Sequence, residues 1–280
     1  MEKLWKYCLS IGLVVWVVSC GENSTVKTAA VQDKALAEQV YEEGSHLLQG
    51  SPESMTRIEK AIALDTTYAE AIRELSVAYL KRGMPHKWKP IFDKAVEHDA
   101  ATWQPWRGYL YLWFYRDYKK AIADFNASDT LTPNFIDQPQ GHSVDYWRGI
   151  AYLGLKDYNS SIAYWNRHIQ KETAETGEDW VEINAFLYRG IAHYESGDTQ
   201  KALLDFDKVI GLFKQSADAK YYKAKVLFER EDYDAAEALV NDAITDYNGG
   251  FYNQRNYVET LRQLYPVDLK TLKESILRQK

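Results

Sequence analysis

The chain has 280 residues, with 34 Lys and Arg against 40 Asp and Glu, a net charge of −6, and 46% hydrophobic and 26% charged side chains. This is a globular composition, and its acidic balance excludes a general nucleic-acid binder, which carries a basic stripe. Fifteen Gly and seven Pro are too few turn-formers for a β-sandwich with a turn about every 10 residues.

The first element is an address. Lys3 and Lys6 give a positive start, and residues 7–18 (YCLSIGLVVWVV) are an apolar run. A membrane-spanning helix needs about 20 apolar residues, so this shorter run reads as the core of a signal peptide. It ends in Val17-Val18-Ser19-Cys20. Aliphatic, small, then cysteine resembles the lipobox of bacterial lipoproteins. The resemblance implies that residues 1–19 are removed and that Cys20 becomes an acylated first residue carrying palmitate-type chains. Two or more chains give a stable anchor, at about 0.8 kcal/mol per buried methylene. Gly21 rather than Asp after the cysteine implies, by similarity to enterobacterial lipoproteins, the outer membrane, facing periplasm or cell surface. A plain secretory signal with a chance cysteine is the other reading. If Cys8 leaves with the signal and Cys20 is capped, the mature chain holds no free thiol and no disulfide. Residues 20–33, polar and small, are expected to form a tether.

From Ala35 onward apolar residues recur at three and four, the pattern of amphipathic helices. Four breaks lead into similar phrases: DYKKAIADF (117–125), DYNSSIAYW (157–165), DTQKALLDF (198–206) and DYDAAEALV (232–240). Upstream of each lies a second phrase, WRGYLYLWF, WRGIAYLGL, YRGIAHYES and YKAKVLFER, with Arg107, Arg148, Arg189 and Lys223 in register at spacings of 41, 41 and 34 residues. Two helices in a unit near 34 residues resemble the tetratricopeptide repeat (TPR) family. The unit's small residues fall at Gly149, Gly190 and Ala224, and its large ones at Trp165, Phe206 and Val240. The unit around Gly108 carries one extra residue in its first helix or turn. The turn proline of the family is missing, with Thr66 in its place.

The resemblance implies an all-α fold, a right-handed superhelical TPR solenoid of five to six helix pairs over residues 34–250, with a concave groove and a C-terminal helical cap over 251–280. In that cap, residues 251–265 read as one helix stopped by Pro266, and Asp268 as the cap of a final helix striped by Leu269, Leu272 and Ile276. Two junctions, 128–143 and 172–184, are each seven residues longer than the unit requires. They are either a lip beside the groove or tolerated surface insertions.

By the family's groove positions, Trp103, Trp106, Trp113, Tyr146, Tyr194, Tyr221, Lys225 and Phe228 are nominated to bind a partner. Aromatics with polar edges dominate binding hot spots and also stack on sugars; repeat packing or an oligomer contact is the alternative. The recurrent cations are read as structural, Arg107 pairing with Asp124 and Arg189 with Asp205 on the facing helix; an anion-binding ladder is the other reading. The six His show no metal-ligand spacing, and no nucleophile elbow, P-loop or dinucleotide motif occurs, so no enzyme, cofactor or metal is expected. The expected function is a lipid-anchored scaffold or adaptor that binds another envelope protein or peptide segment in its groove. The alternative is a glycan- or nutrient-binding lipoprotein of a surface uptake system. A homo-oligomer stays open.

Overall fold

The computed structural model describes residues 22–280, with side chains from residue 33 onward. The expected signal peptide, residues 1–19, and the acylation site Cys20 lie outside the described residues. Among the described residues there are 13 α-helices and no strand. None of these helices is long and apolar enough to cross a membrane.

By its contacts the chain divides into two compact units, one ending at Ala71 and one spanning Ile72–Lys280. The repeat pattern reads as one continuous domain over 34–250. Two units result because a repeat touches only its neighbours, so no core runs the length of the array. The first unit contains α1 (Glu22–Ser45) and α2 (Pro52–Leu64). Residues 22–33, expected as a tether, continue α1 instead. Ser51 starts α2, accepting the Ser54 N–H at 3.2 Å, and Pro52 fills the first helical position, where a missing N–H costs nothing.

Helix α3 (Ala69–Lys81) spans the division, and α4 (Pro85–His98) follows. Four helix pairs then run α5 (Ala100–Leu110) with α6 (Tyr118–Leu131), α7 (Val144–Gly154) with α8 (Tyr158–Thr176), α9 (Ile183–Glu195) with α10 (Thr199–Leu212), and α11 (Ala217–Glu229) with α12 (Tyr233–Asn248). Helix α13 (Pro266–Gln279) ends the chain. The recurring Asp of the second phrase has one job in all four pairs. Asp117, Asp157, Asp198 and Asp232 each accept the N–H three residues on, at 3.1–3.3 Å, and so cap the second helix. The residue before each Asp turns the chain in the left-handed region: Arg116 (φ 53°), Lys156 (61°), Gly197 (90°) and Glu231 (65°).

The small-against-large pairing of the repeat is a steric fit. A Cβ on Gly149 would lie 2.5 Å from Trp165 Cε2, and one on Gly190 would lie 2.7 Å from Phe206 Cε1. Trp165 is fully buried and stacks on Tyr188 at 5.8 Å, so it has nowhere to move. Gly149→Ala is therefore expected to destabilise the fold by about 1–3 kcal/mol by overpacking, outweighing the roughly 1 kcal/mol that alanine gains in a helix. Urea unfolding reads this directly, and a variant as stable as the parent would contradict the fit.

The extra residue near Gly108 is absorbed by a π-helical turn, Tyr111–Tyr115, at the end of α5. The two long junctions are not alike. Residues between α6 and α7 form a loop with a short 3₁₀ turn at Pro139–Gly141, whereas α8 extends to 19 residues and takes up most of the second excess. Helix extension is available there because residues 170–176 contain no Gly or Pro before Gly177.

The cap also differs from expectation. Residues 251–265 form no helix. Gly249 and Gly250 (φ 84°) end α12, the Phe251 N–H closing the last turn on the Asp246 carbonyl at 2.9 Å, and the Asn253 N–H beyond it bonds Asp218 of α11. Tyr265, not Asp268, is the N-cap of α13; Asp268 closes a capping box by accepting the Tyr265 N–H at 2.9 Å. Leu269, Leu272 and Ile276 are buried together with Leu264 against Ala236, Val240 and Ala243.

Candidate functional site

Residues 251–265 lie as a strap across first helices of the second unit. Ala217 at the start of α11 donates its N–H to the Phe251 carbonyl at 2.9 Å. Asp218 accepts the Asn253 N–H at 2.7 Å, and the Asn253 side chain donates to the Tyr188 hydroxyl of α9 at 2.9 Å. Arg255 bonds the Tyr109 hydroxyl and covers the Trp113 ring, its guanidinium carbon 3.9 Å from the centroid. Arg116 donates to the carbonyls of Glu259 and Thr260. Arg262 makes a bidentate pair with Glu195 at the end of α9, at 2.5 and 2.7 Å.

This strap decides the fate of the nominated groove residues. Trp103, Trp113 and Tyr146 are buried, at 8%, 3% and 4% exposure, and only the edge of Trp113 reaches an open cleft. Arg73 stacks on Trp103 at 4.7 Å, Arg255 covers Trp113, and Tyr146 is enclosed by His142, Trp147 and Trp165. Desolvation accordingly pushes the Tyr146 phenol well above its ordinary pKa. Tyr221 and Phe228 are half-buried against the core that α13 completes. Lys225 sits over the rings of Tyr194, Tyr222 and Tyr221, and burial lowers its pKa. Trp106 and Tyr194 stay half-exposed, Tyr194 bonding Glu229. With Trp103 and Trp113 covered, the sugar-stacking reading loses two of its three tryptophans.

The cations fall into three kinds. Arg107 grips Asp124 in a bidentate pair at 2.8 and 2.7 Å and reaches Asp93 at 2.9 Å. Arg189 grips Asp205 likewise at 2.9 and 2.6 Å. Arg148, only 1% exposed, finds other partners, because Tyr164 occupies the facing position: Asp145 at 2.8 Å, Asn126 at 3.0 Å, Asp129 at 2.6 Å and the Phe125 carbonyl. Tyr164 stacks beside it, 5.5 Å from the guanidinium. Lys223 reaches back to Asp207 of the preceding helix. All four cations are thus committed to the packing of the stack.

A trio invisible in the linear sequence also forms. Ser143 Oγ lies 3.1 Å from His168 Nδ1, and Glu172 Oε1 lies 3.2 Å from His168 Nε2 without hydrogen-bond geometry. It is built as a buried helix cap and not as a nucleophile. Ser143 accepts the Tyr146 N–H at the start of α7, and burial lowers the His168 pKa to about 4, too low for a base at neutral pH. No group of three or more His, Cys, Asp or Glu among the described residues is placed to hold a metal ion.

The open surface is a cleft of about 750 Å³ between the end of the π-helical turn and the strap. Trp113, Phe114, Tyr247, Tyr252, Tyr257 and Tyr265 supply its rings, and Arg116, Arg255 and Glu259 its charges. Most of this site comes from the strap, whose register follows no repeat, so the repeat pattern could not point to it. The signal present was the density of Tyr, Asn and Arg in 251–265, unlike a helix that merely caps.

Helix pairs with a small residue packed on an aromatic give the second unit a fold of the tetratricopeptide-repeat type. Residues 187–251 match the family model for the tetratricopeptide repeat. Among solved structures, the chain is similar to PilW, a widely conserved type IV pilus biogenesis factor, with a TM-score of 0.59 and 16% identity over 87% of this chain and 97% of that one. It is similar also to MamA (41-end) from Desulfovibrio magneticus RS-1, with a TM-score of 0.54 and 16% identity over 65% and 96% of the two chains. Both likenesses are of fold alone. An NADPH oxidase activator of Dictyostelium discoideum is 25% identical over 114 residues, which is 38% of this chain and 18% of that protein's length.

Proposed function

We propose that the protein is a scaffold that holds an extended segment of a partner protein on the first-helix face of its second unit, and that a lipid on Cys20 keeps it at the bacterial envelope, at the outer membrane. The observation that carries the reading is the strap itself. The face already holds an extended chain by its backbone, through Asp218, Ala217 and Arg116, while Arg255 and Arg262 enter side-chain sites on Trp113 and Glu195. Backbone bonds give affinity and side-chain sites give selectivity, the division of labour in peptide recognition. The membrane part rests on the lipobox-like ending of residues 7–20.

A photo-crosslinking amino acid at Trp106 or Tyr194, the nominated positions that the strap leaves half-exposed, tests the scaffold in envelope membranes. A discrete crosslinked protein at one or both positions is expected. Absence of any protein adduct at both would overturn the reading. In the same strain Cys20→Ser is expected to move the protein out of the membrane fraction; retention there would refute the lipid anchor.

A further inference from the structure

Arg116 and Arg255 bond no carboxylate among the described residues. Arg116 stands 5.3 Å from the Trp113 centroid and Arg255 3.9 Å from it, and the only oxygens they bond are two carbonyls and a tyrosine hydroxyl. Every other buried or half-buried arginine discussed above is neutralised by Asp or Glu. Neutral acceptors leave both charges uncompensated, in a chain whose overall charge is −6.

Three donors at this place are also hidden from water without an acceptor among the described residues: Trp113 Nε1, Arg116 Nη1 and Arg255 Nε. A buried donor left unsatisfied costs about 1–3 kcal/mol, and more when charged. Three side by side, on a residue that is 97% buried and on the two arginines that flank it, are an incomplete hydrogen-bond set.

All three residues line the open cleft of about 750 Å³. Its charged lining residues are Arg116, Arg255 and Glu259, a sum of +1. Glu259 is turned to the Tyr265 hydroxyl. The rings of Tyr247, Tyr252, Tyr257 and Tyr265 surround the charges with flat amphipathic surface. Its rim residues Gln254 and Tyr257 are exposed and belong to the strap, which no helical hydrogen bonds hold.

We propose that this cleft is a carboxylate-binding site, and that its ligand is an acidic segment of the partner protein carrying a carboxylate next to an aromatic or apolar side chain. A single negative charge matches the sum of +1, the guanidinium donors match carboxylate oxygens, and the tyrosine rim accepts a neighbouring ring. Arg255 lies outside the repeats, so the site is a property of this chain's strap. The proposal rests on the scaffold reading for its source of ligand, a protein, but its chemistry is tested without any partner.

The probe is the singly charged tripeptide acetyl-Tyr-Gly-Glu-amide, compared by calorimetry on the full chain with its uncharged analogue acetyl-Tyr-Gly-Gln-amide. The acid is expected to bind about tenfold tighter or better, as a charge-assisted hydrogen bond affords. Arg255→Gln, which keeps a donor for Tyr109, and Arg116→Gln are each expected to lose about tenfold or more of that affinity, with the thermal midpoint recording that the variants fold. Should Arg255→Gln unfold, Arg255→Lys keeps the charge and is expected to lose the affinity only in part. Equal binding of acid and amide, or undiminished binding by both Gln variants, overturns the site. Binding of phenyl glucuronide but not of the tripeptide overturns the assignment to a protein ligand and gives the cleft to sugar acids. A discrete crosslinked partner together with equal acid and amide binding would sink this proposal alone; the converse result would sink the scaffold alone.

Discussion

Arg148→Ala is expected to destabilise the second unit by about 3–5 kcal/mol, the cost of breaking a buried ion pair from one side. Arg148 is 1% exposed and donates to four groups, and one of them, Asp145, is itself 6% exposed. With the guanidinium gone, the Asp145 carboxylate keeps only Arg167, 3.5 Å away at its other oxygen. The Phe125 carbonyl and Asn126 lose their donors as well. The cost is therefore chiefly a stranded carboxylate, not a lost attraction, and it is separable from the cavity. Adding Asp145→Asn should recover a substantial part of it, since a neutral amide is far cheaper to bury than an unpaired charge. Urea unfolding of the two single variants and the double variant closes the cycle. An Arg148→Ala loss below about 1 kcal/mol, the range of exposed pairs, would show that the site is wetter than its burial implies.

A pH series should separate two buried groups that pull in opposite directions. Burial lowers the His168 pKa from 6.5 to about 4. Between those values the unfolded chain binds a proton that the folded chain refuses, so this stability is present above pH 6.5 and lost as pH falls through 6.5 towards 4. Burial raises Asp218 from 3.8 to about 6, its bond from the Asn253 N–H acting the other way. Here the folded chain keeps a proton that the unfolded one releases, so this contribution is present below pH 3.8 and lost as pH rises through 6. Each difference corresponds to about 3 kcal/mol. His142 and His193, also lowered by burial, add to the acid loss. His168→Gln should flatten the decline on acidification, and Asp218→Asn should raise stability at pH 8 more than at pH 4. Denaturation midpoints at pH 4, 6 and 8 read both. Variants that run parallel to the parent across the series would refute the two assignments.

The repeat architecture was legible because its determinants are local. Asp117, Asp157, Asp198 and Asp232 recur after turn residues and cap helices wherever the phrase occurs, and Gly149 and Gly190 meet their aromatics within one helix pair. The pairs Arg107–Asp124 and Arg189–Asp205 join residues 17 and 16 apart, again inside one unit. Where the unit departs from its pattern, prediction weakens. The partners of Arg148 come from its own helix and from the preceding α6, and only the packed neighbours reveal them.

The groove was misread for the same reason. Register positions say which face of a helix a residue occupies, not what covers that face. Trp103 and Trp113 hold nominated positions, yet Arg73 and Arg255 cover them, and no repeat rule relates those residues to them.

Composition and spacing alone pointed to an all-α chain of paired helices, because propensity, capping and small-against-large packing act within one helix pair. Tertiary structure alone decided where its binding chemistry lies. Arg255 meets Trp113 across 142 positions and Arg262 meets Glu195 across 67. Such contacts are chosen by the shape of a finished surface, and a strap without helical periodicity has no register that would assign its partners.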